Sequence, residues 1–278
     1  MTEEQRRRLR ASSVVTGVFT EPVLRSEMAK RDSRPVIVDL NCGDTAQMQS
    51  LLKDKVVKAY LGITGDVQLA KKLNELSAGM DNVLYQAADV TATNFVDEVA
   101  IGLGRLAAKT QLITDKLESA KADILILPMT LQFVTNPVEF LEAVKPLMKK
   151  DGVVISVGLD VEQNKVSDSD DAAMVMHAGE LFGRRYVSKD TVKVVQWLKA
   201  AGYTNPRFAR GGLTTDHMNS LRQPIYDAYF DDLNECCIYT EDKVWSAAFL
   251  PKVKAVLLDH EKWFTLALRA HVAQVAGA

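Results

Sequence analysis

The feature that most constrains the fold is a repeated order of short apolar runs, turn residues and amphipathic stretches. Runs rich in β-branched or aliphatic residues occupy residues 35–40, 56–63, 82–86, 122–127 and 153–157. Helical patterning separates these runs, which fits the helical crossovers that join parallel strands. The order predicts a doubly wound α/β fold, with a mostly parallel sheet covered by helices on both faces.

Two later runs extend this sheet to seven strands. A helix over residues 188–201 ends at Gly202 and leads into a sixth strand at 203–209. The run at 263–272 is interpreted as a seventh strand that closes the sheet edge. The parts outside this alternation are a helical arm at 1–34, a helical cap insertion at 214–259 and a smaller cap segment at 161–187. The α/β domain then comprises 35–213 plus 260–278. The alternative to a cap role for the two insertions is that they only pack against the domain or form an oligomer interface.

Charge and composition exclude several classes of protein. Lysine and arginine number 34 against 36 acidic residues, so a broad basic surface for nucleic acid is not expected. Three scattered cysteines and four scattered histidines predict neither a disulfide framework nor a metal site. No apolar run is long enough to span a bilayer, which predicts a soluble cytoplasmic protein without a membrane partner. The arginine-rich start leaves a mitochondrial presequence as an alternative, which Glu3 and Glu4 disfavour.

The segment VIVDLNCGDT at 36–45 places an acidic residue and a tight turn between a buried strand and a helix N-terminus. Such a turn directs backbone N–H groups at a polar ligand. The segment resembles the first motif of the class I (Rossmann-like) S-adenosylmethionine-dependent methyltransferases. Asp39, Leu40, Cys42 and Gly43 match that motif, whereas Asn41 stands where glycine is usual.

The segment at 122–157 carries the strongest resemblance to this superfamily. It is similar to the fourth to sixth motifs, in which an acidic residue opens strand four and an N-P step precedes a helix and strand five. Asp123, Asn136, Pro137, Lys145 and Gly152 occupy the matching positions. The resemblance extends over residues 35–208, with 263–272 in addition.

The resemblance implies S-adenosyl-L-methionine as cofactor and assigns a site for it. Thr64 stands where the family holds the ribose hydroxyls with an acidic residue, and Asp66 follows two residues later. Asp89 and Val90 stand where the family binds adenine. The cofactor-binding residues implied in this way are Asp39, Leu40, Asn41, Cys42, Gly43, Thr64, Asp66, Asp89, Val90 and Met129.

Methyl transfer depends mainly on positioning and desolvation, so a dedicated base is optional. The candidates for a catalytic group are Gln132, His177 and His217. The alternative to a catalytic role is, for Gln132, a residue at the start of a helix. For His177, the alternative is a partly exposed polar residue without a catalytic role. Four aromatic residues either form a wall for the substrate or belong to the core, namely Tyr226, Tyr229, Phe230 and Trp245.

The leading hypothesis is a methyltransferase that transfers a methyl group to oxygen or nitrogen of a small-molecule substrate. The alternative is a non-catalytic subunit of the same fold that scaffolds or activates a protein partner. A homo-oligomer is compatible with either. Whether Asp66 reaches a ribose separates the two hypotheses.

Overall fold

The computed structural model describes residues 3–43, 46–110, 121–132, 134–160, 163–167, 169–185, 193–214, 219–230 and 239–276. Within these ranges one sheet carries eight strands: β1 Val36–Asp39, β2 Ala59–Thr64, β3 Val83–Ala87, β4 Ala122–Pro128, β5 Met148–Leu159, β6 Lys165–Val166, β7 Tyr203–Thr214 and β8 Phe264–Val275. The α-helices in the same ranges are α1 Glu3–Met28, α2 Ala46–Lys53, α3 Val67–Leu76, α4 Phe95–Lys109, α5 Pro137–Val144, α6 Ser169–Arg185, α7 Lys193–Ala200, α8 Arg222–Tyr229 and α9 Thr240–Leu258.

The sheet confirms the predicted doubly wound α/β architecture. Its strand order is β3-β2-β1-β4-β5-β8, and all pairs from β3 to β5 are parallel. Helices cover both faces: Leu24 of α1 packs on one face with residues of α2 and α3, and residues of α4, α5 and α7 pack on the other. β1 and β2 are buried along their whole length, as strands covered on both sides must be.

The last strand does not lie where the sequence analysis placed it. β8 runs antiparallel between β5 and β7 and is therefore an interior strand, whereas β7 lies outside it. The physical reason is that β8 is buried over most of its length, and pairing with β5 on one side and β7 on the other satisfies its backbone N–H and C=O groups. The short strand β6 also pairs with β8, so the described sheet has eight strands rather than the predicted seven.

The helices α6, α8 and α9 surround a further apolar core at the carboxyl end of the sheet. This core joins Tyr229 and Leu257 to Leu159 at the end of β5 and Phe264 at the start of β8. Val15 of α1 is fully buried in the same core, so the N-terminal helix packs against the rest of the chain. The proposed domain boundaries stay an interpretation. None of the described helices is long and apolar enough to cross a membrane.

Candidate functional site

The strand order contains one switch point among the parallel strands. The chain leaves β1 for β2 on one side and returns from β3 to β4 on the other side of β1. Connections that leave adjacent strands in opposite directions open a crevice at the carboxyl ends, and ligands bind there in open α/β sheets. The segments that follow β1 and β4 form the walls of this crevice.

Asp39 ends β1 at the base of the crevice and is only 6% exposed. Its Oδ1 accepts a hydrogen bond of 3.3 Å from the backbone N–H of Asn41, and its Oδ2 accepts one of 3.2 Å from the hydroxyl of Tyr60. Burial raises the pKa of Asp39 to about 7, because the loss of water outweighs these two hydrogen bonds. The carboxyl group therefore changes its charge near neutral pH.

The side chain of Asn41 connects the two walls. Its Nδ2 donates a hydrogen bond of 2.9 Å to the backbone carbonyl of Pro128 at the end of β4. The same carbonyl accepts a hydrogen bond of 3.3 Å from the hydroxyl of Thr130. Met129, between these residues, has a left-handed backbone with φ of 53° and is 3% exposed. Non-glycine residues in this conformation carry strain, and such strain is concentrated at functional sites.

Cys42 and Leu40 hold the turn after β1 against its neighbours. Leu40 donates its N–H to Ile126 on β4, and Cys42 donates its N–H to Ile63 on β2. The Cys42 thiol is buried, and burial raises its pKa well above the ordinary value, with the charge of Asp39 as a second cause. Cys42 is therefore a packed neutral thiol. Gly43, the next residue of the motif, is also buried.

The end of β2 carries Thr64 and Asp66, which are 1% and 3% exposed. Asp66 is the N-cap of α3: its Oδ1 accepts hydrogen bonds from the N–H groups of Gln68 at 2.9 Å and Leu69 at 3.3 Å. The Thr64 hydroxyl accepts a hydrogen bond of 3.3 Å from the N–H of Asp66. The Thr64 hydroxyl and Oδ1 of Asp66 therefore accept hydrogen bonds from backbone N–H groups of the strand-to-helix turn. A contact of either residue with a ribose stays a prediction.

Asp89 follows β3 and is exposed, in contrast to the other two acidic residues. Its Oδ1 accepts hydrogen bonds from the N–H of Thr91 at 2.9 Å and from the hydroxyl of Thr91 at 2.7 Å. The Thr91 N–H and hydroxyl lower the pKa of Asp89, so its carboxylate is ionised at neutral pH. Val90 beside it is half-buried against the core. Asp89 is thus placed and charged to accept hydrogen bonds from a ligand.

The three catalytic candidates occupy different places. Gln132 ends a short 3-10 helix that begins at Thr130, directly after β4. His177 lies on α6, where its ring contacts Trp245 edge-on at 4.4 Å between centroids and its Nδ1 lies 3.9 Å from Glu180. His217 lies outside the described residues. The His177 ring therefore packs between its own helix α6 and the neighbouring helix α9. A catalytic role for His177 stays a prediction.

The aromatic residues of the cap segment belong to the core. Tyr226, Tyr229 and Phe230 are 4%, 2% and 1% exposed, and all three lie in the apolar cluster beneath α8 and α9. Their burial supports the second alternative, that these three rings belong to the core. Trp245 is half-buried and stacks on Phe249 at 5.1 Å between ring centroids.

Sequence reasoning missed Tyr60 and Gly62 of β2. A Cβ atom on Gly62 would lie 2.7 Å from the Cys42 thiol and 2.7 Å from the ring of Tyr85, so only glycine fits there. Tyr60 is fully buried, and a buried tyrosine hydroxyl usually finds a partner, which here is Asp39. A tyrosine inside an otherwise apolar strand was the available signal. The role of the Pro128 carbonyl had no signal in the sequence.

The strand order and this site define the class I methyltransferase fold. Among solved structures, the chain is similar to YcgJ of Bacillus subtilis, with a TM-score of 0.53 at 10% identity over 92% of this chain and 98% of that one. It is also similar to a candidate sarcosine dimethylglycine methyltransferase from Galdieria sulphuraria, with a TM-score of 0.50 at 12% identity over 94% and 86% of the two chains.

A third similar structure is phosphoethanolamine N-methyltransferase 2 of Haemonchus contortus in complex with S-adenosyl-L-methionine. Its TM-score is 0.52 at 9% identity, over 92% of this chain and 52% of that one. No protein-family model matches the sequence, and the comparison with curated proteins gives no match either. The likeness therefore establishes the fold.

The residues at the crevice fit an adenosyl cofactor in part. Asp89 presents an exposed, ionised carboxylate. The N–H groups of residues 40–42, in the turn after β1, already donate hydrogen bonds within the protein. The carboxylate of Asp66 is engaged with the N-terminus of α3. In the part of the chain that the structure describes, no group of three histidine, cysteine or acidic side chains is arranged to hold a metal ion.

Proposed function

We propose that this protein is an S-adenosylmethionine-dependent methyltransferase that acts on oxygen or nitrogen of a small-molecule substrate. The observation that carries the proposal is the position of Asp39, Asn41, Met129 and Asp89. Asp39, Asn41 and Met129 stand at the carboxyl ends of β1 and β4, which flank the switch point of a class I methyltransferase fold, and Asp89 stands at the same edge after β3, two strands from β1. That is where such a sheet binds its ligand.

In this proposal Asp89 binds the nucleoside part of the cofactor. Thr91 holds Oδ1 of Asp89 through its N–H and hydroxyl, which fixes the orientation of the carboxylate before any ligand arrives. A fixed, ionised acceptor gains more from a ligand donor than a mobile one, because less conformational freedom is lost on binding. Val90, packed against the core, provides an apolar surface beside it.

When bound, the cofactor would supply the methyl group of its sulfonium to an oxygen or nitrogen of the acceptor; it would leave as S-adenosylhomocysteine, with release of the acceptor's proton. The tasks left to the chain are binding, orientation and exclusion of water. Met129, Leu131 and Val134 follow β4 and are at most 6% exposed, so apolar side chains predominate among the described residues after β4. The balanced charge of the whole chain favours a small-molecule acceptor over a nucleic acid.

Calorimetric titration with S-adenosylmethionine and with S-adenosylhomocysteine tests the proposal. We expect micromolar binding of both, and we expect Asp89→Asn to weaken it at least about ten-fold, because a hydrogen bond to a charged group is lost. Asp81→Asn is the matched control, since Asp81 is an exposed residue just before the start of β3, at the opposite end of that strand. Absence of heat at millimolar ligand, or equal affinities for the two variants, would contradict the proposal.

A second candidate is a non-catalytic subunit that scaffolds or activates a protein partner. Two observations favour it: Asp66 is engaged as a helix cap, and the Asn41 amide connects the two walls of the crevice. This candidate predicts no binding of either adenosyl compound by the wild-type chain.

A homo-oligomer fits both candidates, and light scattering of the purified protein measures the oligomeric state. The buried free thiol of Cys42 favours a reducing compartment such as the cytoplasm.

A further inference from the structure

The Asn41 amide forms a bridge across the crevice in which the cofactor is proposed to bind. Asn41 follows β1 and Pro128 ends β4, and the hydrogen bond of 2.9 Å between Nδ2 and the carbonyl joins positions 87 residues apart in sequence. We call this hydrogen bond the Asn41 latch. Its two ends belong to the opposite walls of the switch point.

The latch satisfies an acceptor that would otherwise face the crevice. The Pro128 carbonyl takes part in two hydrogen bonds, one across the crevice from Asn41 and one from Thr130 on its own side. The left-handed backbone of Met129, with φ of 53°, turns the chain at this point. A carbonyl at a strained turn beside a ligand crevice is a natural partner for a ligand donor.

A ligand that donates to the Pro128 carbonyl at this point would have to displace the Asn41 amide from it. We propose that Asn41 sets the affinity of the site by closing it from within, so that binding requires the latch to open. This inference rests on the proposed function, because it concerns the same crevice. The apparent affinity is then the intrinsic affinity multiplied by the fraction of molecules in which the latch is open.

The proposal predicts opposite effects on stability and affinity. A net intramolecular hydrogen bond changes an equilibrium about five-fold, so Asn41→Ala should bind S-adenosylhomocysteine about five-fold more tightly than the wild type. The same variant should unfold about 2–4 °C lower without ligand, because the latch stabilises the unliganded chain. If Asn41 had only a structural role, its replacement by alanine would lower the affinity and the stability together.

Thr130→Val is the matched control. Thr130 is fully buried and donates to the same Pro128 carbonyl at 3.3 Å, but its hydrogen bond does not cross the crevice. We expect this variant to lose stability without any gain in affinity. Asn41→Ser is a second latch variant, since its shorter hydroxyl side chain does not reach β4, and it should behave as Asn41→Ala does.

Calorimetry with S-adenosylhomocysteine and thermal unfolding of the full chain decide between four outcomes. Tighter binding with a lower unfolding temperature supports the latch. Wild-type binding with equal or weaker binding by both Asn41 variants overturns the latch and leaves the proposed function intact. Binding only by the Asn41 variants supports the latch and overturns methyltransferase function for the natural chain. Absence of binding by all variants overturns both.

Discussion

The hydroxyl of Tyr60 donates a hydrogen bond of 3.2 Å to Asp39, and both side chains are buried beneath the carboxyl end of the sheet. Tyr60 pairs with Ile37 on β1, two residues before Asp39, so its side chain extends along the sheet toward the crevice. The pair places one titratable carboxyl group in an apolar environment. Its protonation is therefore coupled to the stability of the fold.

The stability of the wild type should fall relative to Asp39→Asn as the pH rises. Burial raises the pKa of Asp39 to about 7, so the folded chain holds the proton more tightly than the unfolded chain does. The contribution of Asp39 to the unfolding free energy is greatest at low pH and is lost as the pH rises through about 7. Between about pH 5 and 8, the difference in unfolding free energy should change by about 2–3 kcal/mol. Urea unfolding of both proteins measures it, and parallel pH profiles would contradict the assignment.

Replacement of Tyr60 by phenylalanine should destabilise the chain more at pH 8 than at pH 5. The variant removes the donor to Asp39 and leaves the ring in place, where it packs edge-on against Tyr85 at 5.7 Å between centroids. We expect a loss of about 1–3 kcal/mol at high pH, where the carboxylate is ionised and loses a hydrogen bond. Denaturant unfolding at the two pH values measures this loss. A loss independent of pH would show that the Tyr60 hydroxyl does not specifically stabilise the ionised form of Asp39.

A methyl group at Gly62 should destabilise the turn after β1. The added Cβ atom would lie 2.7 Å from both the Cys42 thiol and the Tyr85 ring, which is shorter than van der Waals contact. We expect Gly62→Ala to cost about 1–3 kcal/mol of unfolding free energy and to weaken ligand binding at the crevice. Gly79→Ala is the control, because nothing lies within 4 Å of that position. Equal stability of the two variants would contradict this packing.

Two glycines of α4 should respond in opposite ways to alanine. Gly104 faces open space, so Gly104→Ala should stabilise the chain by about 1 kcal/mol through helix propensity. A Cβ atom at Gly102 would lie 2.9 Å from Oε1 of Gln86 and 3.1 Å from Leu61, so this gain should be cancelled or reversed. Thermal unfolding compares the two variants. A higher stability for Gly102→Ala would contradict the close contact with β3 and β2.

The role of Asp66 can be separated into capping and ligand binding. Asp66→Ala should lower the unfolding free energy by about 1 kcal/mol, because two N–H groups of α3 lose their acceptor. Asp66→Asn keeps an oxygen acceptor and should retain the stability. If Asp66 acts only as a cap, Asn at this position also leaves the affinity for S-adenosylhomocysteine unchanged. A selective loss of affinity in Asp66→Asn would support a ribose contact.

Much of the architecture followed from local pattern. The alternation of apolar runs with amphipathic stretches predicted β1 to β5 and their parallel order, because short connections through a helix permit few other arrangements. Asn136 and Pro137 predicted the start of α5, and Asn136 accepts a hydrogen bond of 3.4 Å from the N–H of Glu139. Asp66 directly precedes α3 and caps it, a role that the sequence analysis did not assign.

The place of β8 was not predicted, because the pairing of a C-terminal strand with β5 and β7 depends on contacts far apart in sequence. One face of β8 is apolar, but the other carries Thr265, Arg269 and His271, so its burial on both faces had no signal in the sequence. The sequence also could not decide whether the aromatic residues of α8 belong to the core or to a substrate wall. Helical spacing shows which rings share a face, and only the packing of α1, α8 and α9 shows that the face is covered.

The sequence by itself determined the alternation of strands and helices and the parallel core, since these depend on local spacing and on chain connectivity, and it predicted a ligand crevice at the carboxyl ends of the strands. The tertiary structure alone decided the chemistry of that crevice. Asp39 acquires a pKa near 7 because the fold removes water from it, and Asn41 reaches Pro128 because two strands 87 residues apart become neighbours. Burial and contacts between distant segments have no local signature, because they arise only when the sheet assembles.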